Sequence, residues 1–86
     1  MEALAERLER DLTAYTVRVH ELDGDPVTRA TVSIRGRGAH GSLVAVTLQR
    51  TKEPGAYRAV VKRATEVTAG RIRIATVGRV VEVPLE

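Results

Sequence analysis

Few side chains in this sequence are of the types that perform chemistry. Histidine occurs twice, at His20 and His40, and cysteine is absent. Imidazole with carboxylate oxygens can hold a divalent metal, and Glu21, Asp23 and Asp25 lie close to His20 in sequence. The two histidines belong to different segments, however, and each is expected as a solvated surface residue. Gly36-Arg37-Gly38-Ala39-His40-Gly41 matches the spacing G-x-G-x-x-G. A dinucleotide site needs that motif to open a helix, so that helix N-terminal amides meet the pyrophosphate. Here Ser42-Leu43-Val44-Ala45-Val46-Thr47-Leu48 follows, and its β-branched alternation predicts a strand. The run is therefore expected as a hairpin loop, with Arg37 and the glycine amides its groups suited to an oxyanion. Ser33 or Ser42 with His40 and Asp23 supplies the residue types of a hydrolytic triad. No G-x-S-x-G elbow positions the serine, and no element orients the base. The sequence thus predicts no catalytic, cofactor-binding or metal-binding residues, and a protein that is not an enzyme.

Two other patterns point to binding. Leu4, Leu8 and Leu12 recur at a spacing of four and form one apolar stripe. Charge is distributed unevenly. Residues 1–25 hold seven acids against three bases, whereas residues 26–86 hold eleven bases against four acids. A basic body can meet nucleic acid, an anionic surface or an acidic protein. If the strands containing Tyr57, Ile72 and Val81 form a meander, Arg58, Lys62, Arg71 and Arg73 share one outer face. Single-strand readers interleave aromatic side chains among their bases, and this face has none. Contact with phosphates alone remains, and it would weaken steeply with salt.

The elements that must carry these residues follow from periodicity. Over residues 1–14 the leucine stripe predicts a short amphipathic helix, with Glu6 and Arg10 as a supporting pair. Residues 15–86 read as one β domain. Tyr15 to His20 alternates and predicts the first strand, with Tyr15, Val17 and Val19 inward. Asp23-Gly24-Asp25-Pro26 predicts a turn. Further strands are expected over Arg29–Arg35, Ser42–Arg50, the run opening at Tyr57, Arg71–Thr76 and Arg79–Leu85. A polar loop is expected over Ala64–Gly70, and Pro84 fits only a strand end or sheet edge. Pro54-Gly55 is a tight-turn signal. Tyr57, just after it, is placed to send its hydroxyl back to upstream backbone, as a tyrosine corner does. With 86 residues and neither Phe nor Trp, the core must be aliphatic around Tyr15 and Tyr57. Short strands at regular spacing predict an all-β, immunoglobulin-like antiparallel β-sandwich of six to seven strands with a short N-terminal helix. No apolar run is long enough to span a membrane as a helix, and the N-terminus lacks the apolar segment of a signal peptide.

Asp23-Gly24-Asp25-Pro26-Val27, then Pro54-Gly55-Ala56-Tyr57-Arg58-Ala59, then Gly70-Arg71-Ile72-Arg73-Ile74, resembles the pattern of prokaryotic immunoglobulin-like sandwiches of the YtkA-like and carboxypeptidase-regulatory-like (transthyretin-like) type. The resemblance spans roughly residues 15–77. Arg71 stands where such domains often carry Trp. It implies an accessory module outside the cytoplasmic membrane, in some relatives associated with copper. The expected function is a non-catalytic module engaging a protein partner or a second copy through the stripe of Leu4, Leu8 and Leu12, an edge strand, or the basic residues Arg58, Lys62, Arg71 and Arg73. The alternatives are an electrostatic nucleic-acid binder and, less favoured, a copper-associated accessory domain.

Overall fold

The computed structural model describes residues 2–8, 10–38 and 40–85, and of Glu2 the backbone alone. Met1 and Glu9 of the expected helix, Ala39 of the glycine run, and Glu86 lie outside the described residues. The chain is all-β. Its strands are β1 (Glu2–Leu8), β2 (Leu12–Arg18), β3 (Thr31–Gly38), β4 (Leu43–Arg50), β5 (Ala56–Lys62), β6 (Val67–Thr76) and β7 (Arg79–Leu85), with a 3₁₀ turn at Arg63–Thr65. They form one curled antiparallel sheet in the order β1-β2-β5-β4-β3-β6-β7.

The expected N-terminal helix is not formed. Leu4 and Leu8 lie in β1 and Leu12 in β2. A spacing of four fits a strand as well as a helix, because four is also a multiple of the strand period. The hairpin decides between them. Arg10 and Asp11 take φ of 58° and 60°, turning the chain so that Leu8 pairs with Leu12 and Leu4 with Thr16. A short helix would be marginal alone, whereas this strand pairs along its whole length with β2.

The other strands lie close to expectation, with three differences. β2 runs over Leu12–Arg18 rather than Tyr15 to His20, because its first residues pair with β1 and β5. β3 runs on through Gly36 to Gly38, so the glycine run is partly strand. Gly36 pairs with Gly70 of β6 so closely that a Cβ on Gly36 would lie 2.0 Å from the Ala69 carbonyl oxygen. β6 begins at Val67, inside the expected polar loop, because Val67 is buried and bonded to Tyr15. The meander is also absent: β4 and β3 intervene between β5 and β6.

The concave side of the sheet carries the core. Tyr15, Val17 and Tyr57 from β2 and β5 join one cluster with Val32, Ile34, Val46, Leu48, Ile72 and Ile74 from β3, β4 and β6. The two halves of the sheet meet at a narrow seam, where β4 and β5 pair only at Gln49–Arg58 and Arg50–Tyr57. Pro54-Gly55 makes the turn at this seam, and Ala56 N–H donates to the Glu53 carbonyl at 3.1 Å. Gly55 is required there twice. Its φ is 82°, and a Cβ would lie 2.8 Å from the Pro26 Cβ.

Candidate interaction surfaces

Two tyrosine hydroxyls hold the connections that shape the surface. Tyr57 donates to the Val27 carbonyl at 2.7 Å and accepts from Ala30 N–H at 3.2 Å. The expected bond to upstream backbone is present, and it reaches across to the segment joining β2 to β3. Tyr15 does the same elsewhere. It accepts from Val67 N–H at 2.8 Å and its hydroxyl lies 3.3 Å from the Val67 carbonyl as donor. Burial raises its phenol pKa above the usual value, and the Glu66 charge adds to the rise.

A polar cluster closes the end of the sheet beside this bond. Thr13 is 1% exposed, and its hydroxyl donates to Glu66 at 2.7 Å. Arg7 reaches the other Glu66 oxygen at 3.1 Å. Arg63 donates to the Leu8 carbonyl at 3.0 Å and pairs with Asp11 at 3.7 Å. The Thr13 hydrogen bond, then the bond and charge of Arg7 and the charge of Arg63, hold the Glu66 carboxyl below the usual carboxylate range against the effect of burial. These groups lock the β1–β2 hairpin to the start of β6.

The sequence-predicted binding residues fall on the convex side, in two sets. On the β1-β2-β5 half, the register aligns Leu8, Leu12 and Lys62 in one row, Glu6, Ala14 and Val60 in the next, and Leu4, Thr16 and Arg58 in the third. Leu4 is 56% and Val60 44% exposed, while Leu8 and Leu12 are half-buried. The leucine stripe therefore joins Arg58 and Lys62 on one face. Val60, which strand alternation sends outward with Arg58 and Lys62, completes its apolar centre.

Arg71 and Arg73 lie on the other half, so the expected single basic face is divided. Arg71 pairs directly with Arg35 of β3, and Arg73 sits between Ser33 and Glu82. Like charges directly opposed across strands repel. Arg37 lies on the same face and donates to the Gly41 carbonyl at 2.7 Å, so the glycine run binds its own arginine.

A concave groove of about 720 Å³ opens between the β6–β7 hairpin and the segment after β2. Val19, Val27, Ile74, Val81 and Val83 line it, with His20, Glu21, Arg29 and Arg79 at its rim. His20 is held by a bridge to Pro26, whereas His40 stands in the β3–β4 turn. Among the described residues no cluster of His, Asp or Glu has the makings of a metal site, and no helix is long and apolar enough to cross a membrane. No family model, curated protein or solved structure matches this chain.

Proposed function

We propose that this chain is a non-catalytic binding or assembly module, an accessory immunoglobulin-like domain that engages a protein partner through the convex face of β1, β2 and β5. The observation that carries this reading is the coincidence of Leu4, Leu8, Leu12 and Val60 with Arg58 and Lys62 on that face. Protein interfaces have an apolar centre with a polar rim, and a rim of this sign suits an acidic partner. The immunoglobulin-like part of the proposal takes the curled sheet as two packed layers divided at the β4–β5 seam. The core cluster shared by both halves and the Tyr15–Val67 bond support it, as does the likeness of the turn and strand motifs to YtkA-like and carboxypeptidase-regulatory-like domains.

The opposed Arg35 and Arg71 favour a second reading, in which phosphates of a nucleic acid relieve their repulsion. A titration of isotope-labelled protein with a short DNA duplex, at low and physiological salt, separates the two. Salt-sensitive shifts at Arg35, Arg71 and Arg73 would move the function to that half and displace the protein-partner reading. The protein-partner reading expects an unchanged spectrum at low salt. It also expects a photo-crosslinker at position 4 to capture one discrete polypeptide in cells, with the adduct lost in Lys62→Glu.

A further inference from the structure

The sheet ends in β1 and β7, and the two edges differ. β1 carries Glu6 and Arg7, and charges of this kind keep sheet edges from pairing. β7 reads Arg79-Val80-Val81-Glu82-Val83-Pro84-Leu85. Between Arg79 and Pro84 its one charge is Glu82, which faces Arg73 of its own sheet. Val80 is 54% and Val81 40% exposed.

Pro84 shows which main-chain groups of β7 are free. It has no N–H, so its nitrogen belongs on the side turned away from β6, where it costs no ladder bond. Antiparallel bonding alternates along a strand. Val80 and Glu82, in step with Pro84, therefore also turn their N–H and C=O groups away from β6. The hairpin gives the same phase independently. Thr76 and Arg79 close the Val77-Gly78 turn, and residues closing a two-residue hairpin are hydrogen-bonded to each other.

We infer that β7 is a self-pairing edge: two copies of the chain join β7 to β7, antiparallel and centred on Val81, with Val80 of each copy bonded to Glu82 of the other. The inference goes beyond the protein-partner reading, which uses the convex face of β1, β2 and β5, and adds a second copy of the chain at the opposite edge of the sheet. Centring on Val81 uses both free residues of each copy. It places Val81 against its own counterpart beside the apolar groove, extending the surface of Ile74 and Val83. It also sets Glu82 opposite Val80, so each carboxylate keeps Arg73 and meets no like charge. Centring on Glu82 would oppose the two carboxylates and call for the N–H that Pro84 lacks. The free flank of β4 is less suited, because β5 is bonded to it at Gln49 and Arg50.

The chain has no cysteine, so Val81→Cys introduces a single thiol. At a non-hydrogen-bonded antiparallel pair the Cα atoms lie about 4.5 Å apart, within the span that a disulfide bridges. Mild oxidation of Val81→Cys should give mostly covalent dimer, about tenfold more than Ala45→Cys on the β4 flank. Sedimentation of the unmodified chain should show a concentration-dependent dimer. Glu82→Pro, which removes one donor per copy, should raise its dissociation constant about tenfold or more. Equal cross-linking of the two cysteine variants overturns the inference, as does a chain that stays monomeric at millimolar concentration. If that monomer instead shows shifts at Val80 and Glu82 when an unlabelled alternating Val-Thr peptide is added, self-pairing is overturned while the binding-module reading stands.

Discussion

Glu66 is a carboxylate whose charge is stabilised from three directions, by Thr13, Arg7 and Arg63. Its folded pKa lies below the unfolded value, so the native state favours its ionised form. The resulting stability is fully present above the unfolded pKa, about 4.3, and is lost as pH falls through the lower folded value. Glu66→Gln should therefore lower stability by about 1–2 kcal/mol at neutral pH. The deficit should stay constant down to about pH 5 and shrink below pH 4, as measured by urea unfolding across that range. A deficit that persists unchanged into acid would show that packing, not charge, is responsible. Little of this cluster was legible in the sequence. Thr13 and Glu66 are 53 positions apart, and nothing local marks a threonine as the buried donor to a distant acid. Tyr57 could be read, because Pro54-Gly55 announces the corner before it. Tyr15 has no such marker, and its bond to Val67 depends on which strands the fold sets side by side.

Between strands, Tyr57 ties β5 to the long segment that joins β2 to β3. Its hydroxyl serves Val27 and Ala30 together, and Val19 N–H reaches the Gly55 carbonyl at 2.9 Å alongside. Tyr57→Phe keeps the ring in the core and strands both backbone groups. The expected loss is about 1–3 kcal/mol, read as a lower urea midpoint with an unchanged slope. Unaltered stability would mean that water replaces the hydroxyl. Most of the strands could be read from alternation, since Val32 and Ile34, Val46 and Leu48, and Ile72 and Ile74 are buried as a half-buried strand requires. The N-terminal segment misled for a physical reason: leucines four apart satisfy both periods. The residues that settle the matter, Arg10 and Asp11, are not the glycines that usually advertise a left-handed turn.

Across the whole molecule, strand order was not legible at all, and the basic residues were misplaced as a result. Arg58 and Arg71 both point outward as alternation requires, yet the topology puts them on different halves of the sheet. The seam between those halves is the place to look for local opening. Beyond Gln49–Arg58 and Arg50–Tyr57, β4 and β5 make no ladder. Hydrogen exchange should find alternate amides over 43–48 and 59–62 exchanging rapidly while their neighbours, bonded to β3 and β2, stay protected. Uniform protection across both strands would show that the seam is closed in solution. The same strand order also fixes a timetable. β2 meets β1 as soon as their hairpin is made, but its other neighbour, β5, arrives only after the chain has grown from Arg18 to Ala56. At a synthesis rate of about 5–20 residues per second, the second neighbour of a strand that carries Tyr15 and Val17 is made several seconds after the first, so the β1–β2 hairpin is complete well before its core side can be covered.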